Sequence, residues 1–211
     1  MNFSAAERAA LAGLLIDKGP DAPTLCGEWD THDLAVHLWM RERELAATAK
    51  SFLPGNNHQV EQATRKARSR PYVELVQDWA RGPEGLNPWR VLDPVANGLE
   101  HFIHHEDVRR GALAPGDAVD QRPLPESHEK FLHRVLKLGA GRALRSDRPV
   151  ILAPTGLPRV VVNDKPGVAR DGAGVVRIDG HIGEIVLWLF GRDVVEVEIS
   201  GDDSAVERTK L

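Results

Sequence analysis

The chain has 211 residues, 42% hydrophobic and 27% charged, which is enough for one domain or two small ones with a buried core. Its formal net charge of −4 argues against nonspecific nucleic-acid binding, which depends on a basic surface. The longest uninterrupted apolar run, IVLWLF at 185–190, is far shorter than the roughly 20 residues that span a bilayer, so neither nucleic acid nor membrane is an expected partner.

Cysteine usage and the N-terminal segment bear on the cellular compartment. Cys26 is the only cysteine, so no internal disulfide can form, and this favours a reducing environment. The segment MNFSAAERAALAGLLIDKG lacks the basic start of a signal peptide and carries Glu7 and Arg8 within its apolar stretch. We therefore expect a cytoplasmic protein.

The N-terminal segment predicts a first helix. Ser4 followed by Glu7 is a capping-box pattern, and the apolar residues behind it recur at helical spacing. Gly19 and Pro20 end this helix. The segment PDAPTLCGEWD then forms a loop.

Two further helical stretches follow this loop. Asp30 or Thr31 caps a helix that contains HDLAVHLWMRERELAATAK and that ends before Pro54–Gly55. The more polar stretch from about residue 57 to residue 80 is also helical in pattern, and Pro71 divides it.

A fourth helix, PVANGLEHFIHHEDVRRG, has clear limits in the sequence. Asp93 is its expected N-cap, Pro94 occupies the first helical position, and Gly111 ends it. A connector rich in proline and glycine follows. Pro125 then begins another helix, which contains ESHEKFLHRVLKLGAGRALR.

After Ser146 the sequence changes character. The β-branched runs in RPVILAP, RVVVND and GVVRIDG and the alternating VVEVEIS predict strands, whereas HIGEIVLWLFGR predicts a short apolar helix. The polar tail from Gly201 is expected to fray. We therefore predict an α+β protein, with a helical bundle at 1–118 and a small α+β domain at 119–211.

The segment LEHFIHHEDVRR, at 99–110, places three histidines and three acidic residues on the fourth helix. With about 100° per residue, His104 lies about 40° and Asp107 about −20° from Glu100, so the three share one face that borders the core. Side chains four residues apart can hold one ion, and imidazole and carboxylate are zinc ligands. Glu100 and His104 therefore form a candidate two-ligand clip.

The same helix allows other interpretations. His101 and His105 form a second pair four residues apart, roughly 100° further round toward the polar side, and are a reserve pair of ligands. Glu106 and Arg109 lie farther round and are expected to be solvated. The histidines are also consistent with a polar stripe on a soluble helix that binds no metal.

A third ligand would have to come from another helix, and His37 is the best candidate. It lies beside Leu34 and Leu38 on the apolar stripe of the second helix. The interior of a helical bundle is a common place for metal sites. The alternative is a core histidine that is hydrogen-bonded to a neighbour.

Three segments, taken in order, resemble one family. TLCGEWDTHDLAVHL resembles the segment that opens the metal-binding helix of the mycothiol-dependent maleylpyruvate isomerase superfamily, a branch of the DinB-like four-helix metalloproteins. LEHFIHHEDVRR is similar to the second metal segment of that family, and IGEIVLWLFGR to a motif near the end of its C-terminal domain. The resemblance is closest to an uncharacterised metal-binding branch and implies a DinB-like four-helix bundle ahead of the small α+β domain.

The resemblance also implies a site. A divalent metal ion, with zinc expected, would be held by His37, Glu100 and His104, with water in the remaining position. Three protein ligands with one open position are typical of catalytic zinc. Asp107 matches the family's aspartate and would orient a ligand or a helix. Arg192, the arginine of LFGR, would clamp an anionic substrate or, alternatively, would favour the negative end of a helix dipole.

Two functional hypotheses follow. In the first, mycothiol is a small-molecule thiol cosubstrate, and the metal lowers the pKa of the thiol for attack on an electrophilic substrate, in isomerisation, conjugation or S-transfer. In the second, the protein binds metal or is structural without catalysis, because no segment matches a known substrate-binding motif.

Cys26 and the tryptophans have two interpretations each. Cys26 precedes the helix that carries His37, so it is a candidate catalytic thiol, but a small packed cysteine is the favoured interpretation. Trp29, Trp39 and Trp188 are expected in the core, with one of them a candidate for the mouth of a pocket.

Overall fold

A computed structural model describes four parts of the chain, residues 2–43, 57–83, 94–164 and 174–209. The chain divides into two compact units, Met1–Ala112 and Leu113–Leu211. In the described residues the first unit is helical and the second combines helices with strands. The predicted α+β class with an N-terminal helical domain is therefore confirmed. The boundary predicted from the sequence lies at 118–119.

The described part of the N-terminal unit contains five helices, α1 (Phe3–Lys18), α2 (Thr31–Arg43), α3 (Asn57–Arg68), α4 (Tyr72–Ala80) and α5 (Pro94–Arg109). The break between α3 and α4 confirms the predicted division at Pro71. The predicted helix end at Pro54–Gly55 and the predicted Asp93 cap lie outside the described residues. Among the helices described, none has the length and apolar character needed to cross a membrane.

The first two helices begin at polar caps. The Asn2 side chain accepts a hydrogen bond from the Ala5 backbone N–H at 2.8 Å, and α1 already begins at Phe3. The predicted capping box is therefore wrong, because Asn2 caps the helix earlier and Glu7 turns into the core, where it is 1% exposed. On α2, Asp30 Oδ1 accepts from the Asp33 N–H at 2.7 Å, which confirms Asp30 as the cap.

The core of the N-terminal unit forms where the apolar faces of α1, α2 and α4 meet. It contains the fully buried side chains Leu11, Leu15, Leu34, Leu38, Leu75 and Trp79. Burial of one such leucine contributes about 2 kcal/mol relative to exposure. The helix α5 packs along α1, while α2 packs against α3 and α4. This packing fixes the two helices, α2 and α5, on which the predicted metal ligands lie.

Asp78 on α4 joins several cationic and polar groups around α2. Its carboxylate accepts a hydrogen bond from Trp39 Nε1 at 2.6 Å and pairs with the guanidinium groups of Arg70 at 3.1 Å and Arg81 at 2.8 Å. Burial alone would raise the pKa of Asp78, but these hydrogen bonds outweigh it and lower the pKa to about 2. The carboxylate is therefore ionised in the folded protein at any pH near neutrality.

The C-terminal unit is built from two helices and six short strands in its described part. They are α6 (Glu126–Ala143), β1 (Leu144–Ser146), β2 (Val150–Pro154), β3 (Val160–Val162), β4 (Val176–Gly180), α7 (Ile182–Leu189), β5 (Val197–Ser200) and β6 (Val206–Arg208). One sheet has the order β3-β2-β4-β5, in which only the β2–β4 pair is parallel. The helix α7, which is buried along its whole length and apolar except for Glu184, packs against this sheet and α6. The predicted strands and short apolar helix are confirmed.

Residues 201–209 of the C-terminal tail form regular structure rather than a frayed end, so that prediction is wrong for this part of the tail. After Gly201 the chain makes a short 3-10 turn and then forms β6, which pairs antiparallel with β1. The Arg208 guanidinium donates to the Trp188 carbonyl at 3.0 Å and pairs with Asp193 at 2.7 Å. The tail is held by these long-range contacts, which its polar composition does not reveal.

Candidate metal centre

The structure brings together the three residues predicted as metal ligands. His37 lies on α2, and Glu100 and His104 lie one turn apart on α5. Glu100 Oε1 is 3.3 Å from His37 Nε2 and 3.9 Å from His104 Nε2. One donor atom from each residue lies within 4.8 Å of the other two. Two imidazoles and a carboxylate from two helices therefore converge on one point.

The spacing of these donor atoms fits a bound ion. A tetrahedral zinc ion with bonds of about 2.0–2.1 Å holds its nitrogen and oxygen ligands about 3.3 Å apart. The separations of 3.3 and 3.9 Å around Glu100 Oε1 match that value or exceed it slightly. Small side-chain adjustments would therefore complete the ligand set of a divalent cation.

Asp107 determines which nitrogen of His104 faces the other ligands. Its Oδ2 lies 2.9 Å from His104 Nδ1, and Asp107 is completely buried. A carboxylate can only accept, so Nδ1 carries the proton and Nε2 presents its lone pair toward Glu100. This carboxylate–imidazole pair is the usual outer contact of a metal-binding histidine.

Arg41 orients the carboxylate of Glu100. Its guanidinium lies 2.7 Å from Glu100 Oε2 and donates to Asn97 Oδ1 at 2.7 Å, which leaves Glu100 Oε1 toward the histidines. Burial alone would raise the pKa of Glu100, but the hydrogen bond from His37 and the charge of Arg41 outweigh burial, and the pKa is lowered. Glu100 is therefore an anionic, oriented oxygen donor.

A second group of donor atoms shares His104. Cys26 Sγ is 3.1 Å from Asp107 Oδ2 and 3.7 Å from His104 Nδ1. Around a tetrahedral ion, a thiolate and an oxygen ligand would lie about 3.5 Å apart. The shorter 3.1 Å contact to Asp107 has the length of a hydrogen bond to sulfur, so this group is a hydrogen-bonded chain. Cys26 also packs against the hydrophobic core, as its favoured interpretation predicts.

The loop before α2 carries Cys26 and Trp29 to the site. Trp29 is 40% exposed, and its ring centroid is 5.2 Å from that of His37, whose side chain is 36% exposed. The core prediction is therefore wrong for Trp29, whereas Trp188 is buried as predicted. Trp29 and His37 form the solvent-facing side of the centre. Sequence reasoning gave Arg41 no role, although its place one turn after His37 on the same face of α2 was a usable signal.

His101 and His105 do not lie on a polar side of α5, and that prediction is wrong. Both are buried, and His105 Nδ1 lies 3.1 Å from Glu7 Oε2. His101 Nδ1 lies 3.1 Å from the Ser4 carbonyl oxygen, and His101 Nε2 is 3.7 Å from Glu42 Oε1. Within the described residues, neither belongs to a group of three converging metal-type donors.

The polar residues near these histidines are paired inside the N-terminal unit. Arg8 binds Glu42 through both carboxylate oxygens, at 2.9 and 2.5 Å. Glu106, predicted to be solvated, is 1% exposed and pairs with Arg110 at 3.0 Å and Arg109 at 2.8 Å, so that prediction is wrong for Glu106. The Arg8–Glu42 pair joins α1 to α2, whereas the two pairs of Glu106 are local to α5 and the residue that follows it.

Arg192 lies in the C-terminal unit, just after α7. Its side chain is buried, and its guanidinium donates to the Phe190 carbonyl at 2.8 Å. Its backbone N–H donates to the Leu187 carbonyl at 3.0 Å, at the end of the helix. The predicted contact of Arg192 with substrate stays a prediction.

The fold and the donor set of the N-terminal unit define a helical domain with a candidate centre for a divalent metal. Residues 4–96 match the family described as the mycothiol maleylpyruvate isomerase N-terminal domain. This match supports the superfamily that the sequence resemblance predicts, whereas the particular branch stays a prediction. The matched range includes His37 and ends before Glu100 and His104. Comparisons with curated proteins and with solved structures gave no match.

Proposed function

We propose that the protein is a mycothiol-dependent enzyme that adds the thiol to a small electrophile with the help of a bound divalent metal. Isomerisation, conjugation and S-transfer are the reactions open to such an adduct. The main support is the convergence of His37, Glu100 and His104 within 4.8 Å, in a domain whose family is named for mycothiol maleylpyruvate isomerase.

Zinc is the metal that we propose for these donors. Two imidazoles and one carboxylate match its preferred ligands, and three protein ligands leave a position for an exogenous group. When bound there, zinc would lower the pKa of a thiol and favour the thiolate. Glu100 and Asp107 are negative and Arg41 is positive, so a divalent cation would leave the site with a net positive charge. That charge favours an anionic sulfur in the remaining position.

The residues of the chain divide the remaining work. His104 and Asp107 are buried and form the rigid part of the site, whereas His37 and Trp29 face solvent, so thiol and electrophile would approach from their side. Arg41 keeps Glu100 ionised and directed toward the histidines. The ligand set is therefore preorganised before any small molecule arrives.

Other parts of the proposal rest on the sequence. The partners would be a small-molecule thiol and an electrophilic substrate, with neither nucleic acid nor membrane, and the location would be the reducing cytoplasm. Arg192 would hold a carboxylate of the substrate through its two parallel N–H donors. Replacement of Arg192 by lysine keeps the charge but removes the bidentate contact, so substrate binding should weaken while metal content is unchanged.

The experiment is elemental analysis of full-length protein purified without chelator or metal-affinity tag, followed by calorimetric titration with mycothiol. We expect one zinc ion per chain, and we expect mycothiol to bind the metal-loaded protein but not the metal-free protein. His104→Ala should lose the metal, whereas His58→Ala, which changes an exposed histidine of the same unit, should keep it. Protein without metal would overturn the proposal. Metal without mycothiol binding or turnover of any electrophile in a panel would favour the non-catalytic metal-binding protein.

A further inference from the structure

One oxygen of Asp107 joins Cys26 to the metal centre. The Cys26 thiol donates to Asp107 Oδ2 at 3.1 Å, and the same oxygen accepts the His104 Nδ1 proton at 2.9 Å. Asp107 is completely buried, so water does not compete for this oxygen. The orientation of the His104 imidazole therefore depends on a carboxylate that Cys26 also holds.

We propose that Cys26 is a positioning residue of the metal centre, which acts through Asp107 on His104. This inference rests on the proposed metal-binding function and assigns Cys26 neither the role of a ligand nor that of a nucleophile. Its sulfur lies on the Nδ1 side of His104, whereas His37 and Glu100 converge on the Nε2 side. The thiol holds Asp107 in line with Nδ1, so that Nε2 is aimed at the ion.

The backbone of the loop places the thiol accurately. The Leu25 N–H donates to the carbonyl oxygen of Asp107 at 3.1 Å, so the loop is bound to the same residue that the thiol contacts. The Cys26 N–H donates to Thr24 Oγ1 at 3.1 Å. At the end of α5, a Cβ on Gly111 would lie 1.9 Å from the Pro23 carbonyl oxygen, so only glycine permits this close approach. These contacts of residues 23–26 fix the position of Cys26.

The size of the effect follows from the number of bonds between Cys26 and the metal. Loss of a direct outer partner of a metal ligand lowers metal affinity about 10–100-fold. Cys26 is one hydrogen bond further from the ion than Asp107. We therefore expect its removal to weaken zinc binding about 3–10-fold, which lies below the range for a direct outer partner.

The test compares Cys26→Ala with Cys26→Ser in the full-length protein. Zinc affinity is measured by competition with a chromophoric chelator, and the ligand geometry is followed through the absorption spectrum of bound Co²⁺. Alanine should weaken zinc binding and shift the Co²⁺ spectrum. Serine, which supplies a hydroxyl donor, should restore both. Thermal unfolding of the metal-free variants separates this effect from a general loss of stability.

A second comparison uses Asp107→Asn as background. If Cys26 acts through Asp107, Cys26→Ala should have no further effect on zinc affinity in that background. Equal zinc affinity of wild type and Cys26→Ala would overturn the inference. So would a thiolate-to-Co²⁺ charge-transfer band that disappears in Cys26→Ala, since it would make Cys26 a ligand.

The His104 Nδ1 proton gives a readout that needs no metal. In the metal-free protein the NMR resonance of this proton should shift in Cys26→Ala, because Asp107 Oδ2 loses one hydrogen-bond donor. It should return to its wild-type position in Cys26→Ser, which supplies a donor again. An unchanged resonance would overturn the inference. If the wild-type protein binds no zinc while Cys26→Ala still shifts the resonance, the proposed function is overturned and the hydrogen-bonded chain from Cys26 to His104 is established.

Discussion

Replacement of Asp107 by asparagine tests how His104 is prepared for a metal ion. The carboxylate accepts the Nδ1 proton at 2.9 Å, so His104 Nε2 carries the lone pair that a metal needs. Asparagine has the same size, but its amide nitrogen donates. A donor opposite Nδ1 favours the other tautomer, with the proton on Nε2, and that tautomer cannot bind the ion.

The expected magnitude follows from the burial of this pair. Removal of an outer partner lowers metal affinity about 10–100-fold, which corresponds to about 1.4–2.7 kcal/mol. Asp107 is 0% exposed, so solvent cannot replace the lost acceptor. The effect of Asp107→Asn should therefore lie in the upper part of that range.

The assay is zinc affinity of the full-length variant, measured by competition with a chromophoric chelator. Asp17→Asn is the matched control, because Asp17 is exposed on α1 of the same unit and the chemical change is identical. Thermal unfolding of both metal-free variants shows whether the fold is retained. A folded Asp107→Asn protein that binds zinc within about twofold of wild type would refute the assignment of the tautomer to Asp107.

Three further predictions concern stability and the solvent-facing side of the site. Glu42→Ala should lower the free energy of unfolding in urea by about 3–5 kcal/mol, because it leaves a buried guanidinium without its counter-charge. A urea midpoint equal to that of wild type would contradict this. Burial alone would raise the pKa of Asp78, but hydrogen bonds from Trp39 and two arginines lower it from its usual value of 3.8 to about 2. Ionised Asp78 therefore contributes about 1–2 kcal/mol to the free energy of unfolding above pH 3.8, and this contribution is lost as the pH falls toward 2. In Asp78→Asn the free energy of unfolding should depend less on pH between these two values. Trp29→Phe should remove most of the fluorescence quenching caused by Co²⁺, because the indole lies 5.2 Å from the His37 ring; full quenching in the variant would place the ion elsewhere.

The predicted ligand set came from helical periodicity, which defines faces, together with the family resemblance, which implies His37, Glu100 and His104. Glu100 and His104 are four residues apart, so any helix through them places both side chains on one side. The apolar neighbours of His37 on α2 placed it close to the core. Neither argument required knowledge of which helices pack together, and the structure brings the three side chains to one point.

Helical periodicity could not predict the burial of the other two histidines of α5. Polarity predicted that His101 and His105 face solvent, but α5 is buried on almost all sides. The Glu7 carboxylate and the Ser4 carbonyl, far away in sequence, are the hydrogen-bond partners that make burial of these imidazoles tolerable. A single sequence shows that a side chain is polar, whereas its burial depends on acceptors from other helices. The same reasoning applies to β6, whose order depends on its pairing with β1.

Neighbouring residues on α5 belong to different networks for a geometric reason. A step of about 100° along the helix separates Glu100 from His101 and His104 from His105. The first member of each pair belongs to the candidate ligand set, and the second faces a carboxylate of α1 or α2. The second network anchors the helix through hydrogen bonds among buried side chains, where a misplaced polar group is costly. The helix that presents Glu100 and His104 is therefore held by its own adjacent residues. The proposed metal binding and the anchoring of the helix together explain the abundance of polar groups in LEHFIHHEDVRR.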